Sequence, residues 1–121
     1  MKVNTRAVIA YIAGRLITDR AAKSVYDYTS EVTSSFSGTV TSEEIDVFDE
    51  TEGCSITGKP EGSKFSLLHH GDGNTLDLEI KGVLYEGFDT ADGNHFNGNV
   101  KKDTVSLYDY SDGYYYTYQL A

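Results

Sequence analysis

The sequence predicts a mostly β protein with one N-terminal α-helix, in which about ten short antiparallel strands form a strongly curved sheet or closed barrel wrapped around that helix. Three observations support this fold class: an uncharged helical segment near the start, a hairpin pattern that occurs five times, and an alternation of apolar and polar residues within each copy. The 121 residues suit a single domain, 1–121, with a helix at 4–22 and five β-hairpin repeats at 24–121.

The predicted helix is apolar on every side in its first half. Its large apolar residues recur at helical spacing on one face: Val8, Ile9, Ile12 and Leu16. Asn4 or Thr5 can cap its start. The remainder of residues 7–14 carries no charge, and a helix of this kind is typically buried all round. We therefore expect it to pack inside the sheet, the alternative being a helix that lies on a membrane or a partner.

The hairpin pattern begins with an aromatic or leucine residue and ends at a turn. Its five copies are "YDYTSE" (26–31), "FDETEG" (48–53), "LHHGDG" (68–73), "FDTADG" (88–93) and "YDYSDG" (108–113). Each is followed by a second short pattern: "FSGTV" (36–40), "ITGKP" (56–60), "LDLEI" (76–80), "FNGNV" (96–100) and "YTYQL" (116–120). Such a unit predicts two antiparallel strands joined by a type I turn, closed by glycine in the left-handed conformation.

Apolar residues alternate with polar ones along these strands, which predicts one face in the core and one in water. Four glycines, Gly38, Gly58, Gly87 and Gly98, fall on the apolar face, and we expect the helix to fill the space that they leave. Closure of the sheet would also remove its exposed edges. The alternative architecture is a sandwich of two sheets with the helix covering one end.

The charge of the chain excludes some classes of partner. The net charge is −9, which argues against a nucleic-acid-binding surface because phosphate contacts need clustered Lys and Arg. Residues 1–23 sum to +4 and residues 24–121 to −13, so the N-terminal segment could dock on the acidic remainder. No segment has the roughly 20 apolar residues that span a membrane. The single cysteine, Cys54, cannot form an intrachain disulfide and favours a cytoplasmic location.

One position of the repeat carries side chains that could bind a cation. The residue after the first aromatic or leucine in each copy would form a ring at one end of a closed meander: Asp27, Asp49, His69, Asp89 and Asp109. Carboxylates are natural Ca²⁺ ligands, and His69 with His95 and a carboxylate could bind Zn²⁺. An Asp before a turn more commonly accepts hydrogen bonds from the turn's own amides, so the favoured expectation is capping without a cofactor.

A second position carries large apolar side chains that would point outward near one rim. It comprises Tyr26, Phe48, Leu68, Phe88 and Tyr108, with Tyr110 two residues further along the last copy. Aromatic residues are enriched in protein interfaces, so this band is a candidate contact for a protein partner or for a second copy of the chain. The alternative is that a twist or bulge turns these residues into the core.

No catalytic motif occurs in the chain, and Cys54 is expected in a turn without a basic neighbour to lower its pKa. The sequence therefore favours a small acidic, non-catalytic binding protein. Two alternatives remain. One is a small-ligand carrier or enzyme with a pocket between helix and sheet. The other is a secreted structural module, which rests on the basic and then apolar character of the N-terminus.

Overall fold

A computed structural model describes all 121 residues and shows a closed ten-stranded antiparallel barrel around one helix. The helix α1 spans Val3–Thr18. The strands are β1 (Ser24–Asp27), β2 (Val32–Val40), β3 (Ile45–Asp49), β4 (Cys54–Glu61), β5 (Lys64–His69), β6 (Asn74–Lys81), β7 (Leu84–Asp89), β8 (Asn94–Lys101), β9 (Thr104–Asp109) and β10 (Tyr114–Leu120). Each strand pairs with its neighbours in sequence, so the predicted mostly β meander is confirmed.

The barrel closes where its first and last strands meet. β1 pairs antiparallel with β10, with Val25 opposite Leu120 and Asp27 opposite Tyr118. Backbone hydrogen bonds extend this seam, because the amide of Lys23 donates to the carbonyl of Ala121 at 2.8 Å. The closed barrel is therefore correct and the two-sheet sandwich is not. Closure leaves no unpaired strand edge to recruit another chain.

Helix α1 occupies the interior of the barrel. Every residue from Thr5 to Gly14 is buried, as expected for a helix that is apolar on all sides. Tyr11 stacks on Phe36 of β2 with ring centroids 4.3 Å apart, and its hydroxyl donates to the carbonyl of Ala22 at 2.7 Å. Internal packing of the helix is thus confirmed. No helix of this protein is long and apolar enough to cross a membrane.

The predicted ends of the helix were wrong. The helix begins at Val3, with Lys2 preceding it in an extended conformation and no side chain capping the first turn, so neither Asn4 nor Thr5 is the cap. It ends at Thr18 rather than at residue 22, because Asp19 adopts a left-handed conformation with φ of 56°. The amide of Asp19 donates to the carbonyl of Arg15, which closes the last turn.

The expected role of the inner glycines also needs correction. Gly58, Gly87 and Gly98 are covered by side chains of neighbouring strands, not by the helix. A Cβ at Gly87 would overlap the ring of Phe96, its partner on β8, and one at Gly98 would approach the Tyr85 hydroxyl within 2.5 Å. Gly38 lies opposite Val47 of β3, and it is solvent-exposed with φ of 102°. The glycines let the sheet curl tightly while large residues fold over them.

The turns at one end of the barrel follow the predicted chemistry. Gly53, Gly73, Gly93 and Gly113 have φ between 70° and 74°, and Glu31 takes the same left-handed conformation in the first copy. The helix starts at this end, since the backbone and side chains of residues 1–6 contact the turns after β7 and β9. These turns therefore carry the residues from which a functional site could be built.

Candidate functional site

The predicted ring lies at the end of the barrel where α1 begins, and its members are buried. None of the five is more than 5% exposed: Asp27, Asp49, His69, Asp89 and Asp109. The Oδ1 atom of each Asp accepts a hydrogen bond from the amide two residues later, for example from Thr29 at 2.9 Å and from Thr51 at 3.0 Å. The geometry agrees with the capping interpretation, in which each carboxylate holds its own turn.

The basic N-terminal segment sits on this ring. The N-terminal ammonium of Met1 contacts Asp92 at 2.6 Å and Asp109 at 3.0 Å. Arg6 lies over the ring of Tyr116 at 3.8 Å, and its Nη1 atom is 3.3 Å from Asp109 Oδ2. The docking of a basic segment on an acidic body, which the charge distribution indicates, is therefore present, and it fixes the start of the helix inside the barrel.

The pKa values of two ring carboxylates are shifted in opposite directions. Burial raises the pKa of Asp49, against the lowering effect of hydrogen bonds from the Glu52 and Thr51 amides. Burial acts in the same direction on Asp109. There it is outweighed by hydrogen bonds from Ser111 and by the N-terminal ammonium, so the pKa of Asp109 is lowered. The hydrogen bond from the Ser111 hydroxyl and the N-terminal ammonium, both of which act on Asp109 and not on Asp49, account for the difference.

The ring residues do not converge on a point. No group of three or more His, Cys, Asp or Glu side chains is arranged to hold a metal ion. The zinc hypothesis combined His69 with His95, but the two side chains have different surroundings. His69 is buried, whereas His95 is exposed with its ring 4.9 Å from that of Phe88. The multi-ligand Ca²⁺ and Zn²⁺ hypotheses therefore gain no support from the geometry.

Cys54 has a histidine partner that the sequence analysis missed. Cys54 is the first residue of β4, and its Sγ atom lies 3.8 Å from Nε2 of His69. The Nδ1 atom of the same imidazole is 3.3 Å from Asp72 Oδ1. Burial raises the pKa of Cys54, as do the nearby carboxylates of Asp49 and Glu52. The signal for this contact is the spacing of the two residues. They are 15 positions apart, as are Asn74 and Asp89, which are hydrogen-bonded to each other in the next hairpin.

The outward band lies on the outer surface of the barrel, not in the core. Phe48, Leu68 and Tyr110 are exposed, while Tyr26, Phe88 and Tyr108 are partly buried by their neighbours. Six tyrosines cluster on the adjacent strands β9, β10 and β1 and on the turns beside them. We call this set the tyrosine face: Tyr26, Tyr28, Tyr108, Tyr110, Tyr114 and Tyr115.

Within the tyrosine face five of the six rings make contacts, in two groups. The ring of Tyr108 lies 4.7 Å from those of Tyr110 and Tyr115, and the rings of Tyr26 and Tyr28 meet edge to face at 5.1 Å. Asn97 donates a hydrogen bond to the Tyr110 hydroxyl at 3.0 Å, which holds that ring in place. Tyr114 and Tyr115 remain 66% and 72% exposed. The face is thus a pre-ordered aromatic surface that is open to solvent.

The end of the barrel beside the tyrosine face is strongly acidic. We call the five turns 27–31, 49–53, 69–73, 89–93 and 109–113 the acidic rim. These turns contain ten of the chain's nineteen Asp and Glu residues and no Lys or Arg: Asp27, Glu31, Asp49, Glu50, Glu52, Asp72, Asp89, Asp92, Asp109 and Asp112. Only the N-terminal ammonium, Lys2 and Arg6 offset them there.

The cavities of the protein are shallow and lie at its surface. A depression of about 530 Å³ on the outside of β5, β6 and β7 is lined by charged side chains of both signs. A smaller one of about 290 Å³ opens at the mouth of the barrel between Val3 of the helix and Val32 of β2. Deeper along the helix the packing is tight, since a Cβ at Gly14 would lie 3.0 Å from Val105.

Comparison with protein-family models, curated proteins and solved structures finds no match to this chain. Function must therefore be argued from the surface itself.

Proposed function

We propose that the protein is a small, non-catalytic binding protein of the cytoplasm that uses its tyrosine face and the adjoining acidic rim to contact a positively charged partner protein. The observation that carries the proposal is the cluster of contacting, solvent-open tyrosines on β9, β10 and β1. Tyrosine supplies large, rigid contact area at low entropic cost, which is why it dominates many binding surfaces.

The acidic rim predicts that the partner surface carries a positive charge. Six of its carboxylates belong to exposed residues: Glu31, Glu50, Glu52, Asp72, Asp92 and Asp112. Charge complementarity speeds association and selects partners, so a Lys- and Arg-rich surface fits here. Arginine also stacks favourably on tyrosine rings. The same charges would repel a second copy that approached with its own acidic rim, which favours a different protein over a homo-oligomer joined at this end.

The test compares two sets of exposed aromatic and aliphatic residues. The variant Tyr110→Ser/Tyr114→Ser/Tyr115→Ser removes the most open part of the tyrosine face. The control Phe48→Ser/Leu68→Ser removes exposed apolar area on β3 and β5, outside the strands that carry the tyrosine face. Each purified protein is immobilised and used to capture binders from cells of its source, with capture repeated at rising salt.

The expected result is that the natural chain and the control retain the same binder, that the tyrosine variant loses it, and that capture weakens as salt rises. Equal capture by the tyrosine variant would contradict the proposal. So would a natural chain that retains no binder and sediments as a monomer at all concentrations.

A further inference from the structure

Two adjacent hairpins depart from the repeat at three positions that meet in space. In the hairpin β5–β6 the ring residue is His69, where the other copies have Asp. Its turn contains Gly71, where the copies on either side have Thr51 and Ala91. The residue that faces this ring position from the preceding hairpin is Cys54. The three substitutions form one contact, because a Cβ at Gly71 would lie 3.0 Å from both Cys54 Sγ and His69 Cε1.

The next hairpin has a different pair at the two equivalent positions. Asn74 stands one repeat after Cys54 and Asp89 one repeat after His69, and the Asn74 amide donates to Asp89 Oδ1 at 2.7 Å. That pair is a structural hydrogen bond between two hard polar groups. In the Cys54–His69 pair both groups are instead soft-metal ligands, and the neighbouring turn has lost the methyl group that would crowd them.

We propose that Cys54 and His69 form a two-ligand site for a soft monovalent metal ion of the Cu⁺ class, bound between Cys54 Sγ and His69 Nε2. The ion displaces the proton of the Cys54 thiol, which passes to solvent, and no change of oxidation state occurs. The site is separate from the tyrosine face, because β4 and β5 lie across the barrel from β9, β10 and β1.

The spacing of the two donor atoms suits such an ion. With the bond lengths of zinc sites as a guide, about 2.3 Å to sulfur and about 2.0 Å to nitrogen, a separation of 3.8 Å places an ion between the donors at an angle wider than tetrahedral. Wide angles and few ligands are typical of Cu⁺ and Ag⁺, and the chain offers no third His, Cys, Asp or Glu that would complete a Zn²⁺ site.

The surroundings of the pair favour a bound cation. The His69 imidazole is 2% exposed and its Nδ1 atom has no hydrogen-bond partner, although Asp72 Oδ1 lies 3.3 Å away. Coordination through Nε2 would fix the proton on Nδ1, facing this carboxylate, which is the arrangement that supports metal-bound histidines. Asp49 and Glu52 add negative charge near the sulfur, which disfavours a bare thiolate but stabilises a thiolate that carries a cation.

An ion can reach the site from solvent. Cys54 is partly exposed and lines a surface depression of about 510 Å³ together with Phe48, Thr57 and His70. His70 lies on the outer face, where its Nε2 atom is 2.8 Å from the Thr57 hydroxyl. The third histidine, His95, is three strands away from β5 on β8, with its ring edge to face against Phe88.

The experiment titrates the full chain with Ag⁺ as its nitrate in chloride-free buffer, by calorimetry and native mass spectrometry. Silver is the probe because it shares the ligand preferences of Cu⁺ and needs no reductant. The natural chain is expected to bind one ion with a perturbed imidazole nitrogen signal from His69. His69→Asn should weaken binding at least about tenfold, and Gly71→Ala should weaken it by crowding the pair.

Two further proteins make the result decisive. The double variant Cys54→Asn/His69→Asp restores the Asn–Asp pair of the next hairpin, so it should fold with an unchanged circular dichroism spectrum and bind no Ag⁺. The variant His70→Gln/His95→Gln should bind as the natural chain does. The proposal is overturned if His69→Asn binds Ag⁺ as tightly as the natural chain, which would mean a thiol acting alone, or if the double variant still binds.

Discussion

At the scale of single residues, the ring positions show how one side chain type can be stabilising in one copy and costly in another. Asp49 and Asp109 hold equivalent turns in the same way, through amides two residues further on. Asp109 also faces Arg6 and the N-terminal ammonium, whereas Asp49 faces no cation. Their pKa values shift in opposite directions: burial raises that of Asp49, whereas hydrogen bonds from Ser111 and the N-terminal ammonium outweigh burial and lower that of Asp109.

Asp109→Asn is therefore expected to lower the free energy of unfolding at neutral pH by roughly 3 kcal/mol, since it leaves the buried Arg6 without its carboxylate. Asp49→Asn is the matched control. Asparagine can still accept hydrogen bonds from the amides of Thr51 and Glu52, both of which use the same oxygen, so this change should be neutral or stabilising at pH 7. Urea unfolding of the three proteins measures both effects.

The two carboxylates also predict opposite pH dependences. Because the folded pKa of Asp109 is lowered, its contribution is present above its unfolded pKa and is lost as the pH falls through the folded pKa. Because the folded pKa of Asp49 is raised, its contribution is greatest at low pH and is lost as the pH rises through that folded pKa. Unfolding measured between pH 3 and 7 should show Asp109→Asn converging on the natural chain in acid. An equal deficit at every pH would contradict this assignment.

At the scale of elements, the hairpins depend on glycines whose role is steric. Gly98 on β8 leaves no room for a methyl group, because a Cβ would overlap the carbonyl oxygen of Ser106 and crowd the Tyr85 hydroxyl. That hydroxyl donates to the same carbonyl at 2.8 Å, so Tyr85 is held across the glycine. Strand β8 curls inward at Gly98 because the ring of Tyr85 occupies the space that a side chain at this position would fill.

Gly98→Ala is expected to destabilise the fold by more than about 2 kcal/mol, as overpacking of a tight site does. Gly93→Ala provides the comparison, since its Cβ would meet no atom within 4 Å and only its left-handed φ of 70° opposes the change, at a cost of roughly 1 kcal/mol. Thermal unfolding of both variants ranks them. A Gly98→Ala protein at least as stable as Gly93→Ala would contradict the packing described for β8.

The hairpins and the helix could be predicted from sequence because each rests on a local pattern. The 20-residue spacing, the turn glycines and the alternation along strands locate them without knowledge of the fold. The helix ends could not be read in the same way. At its C-terminal end the helix stops because Asp19 adopts a left-handed conformation, which the presence of an aspartate does not predict. At its N-terminal end the first turn is held by carboxylates that are distant in sequence.

In the candidate sites, too, features that depend on local sequence could be predicted, whereas contacts between residues distant in sequence could not. The exposure of Tyr114 and Tyr115 follows from their position at the start of β10. The Cys54–His69 contact joins residues of two hairpins, and it becomes visible only when the copies are compared position by position. The covering of Gly87 by Phe96 depends on how sharply the sheet bends, which alternation alone does not specify.

At the scale of the whole molecule, charge is distributed along the barrel axis. The acidic rim holds ten carboxylates, whereas Lys64, Lys81, Lys101 and Lys102 lie in or directly beside the turns at the opposite end. Arg20, just beyond the helix, pairs with Asp103 at 2.7 Å at that opposite end. The helix therefore brings its basic first residues to the acidic rim, and the fold directs any electrostatic attraction of a partner toward the tyrosine face and the rim.

The central claim is that the chain closes into a barrel around its own buried helix, so that binding surfaces lie on the outside. Native-state amide hydrogen exchange tests it most directly. The amides of residues 8–14 and those of the β1–β10 seam, including that of Tyr28, which donates to the carbonyl of Thr117, should exchange only through global unfolding. Rapid exchange along β1 and β10 beside slow exchange in β5 and β6 would mean an open sheet, and rapid exchange in residues 8–14 would place the helix outside it.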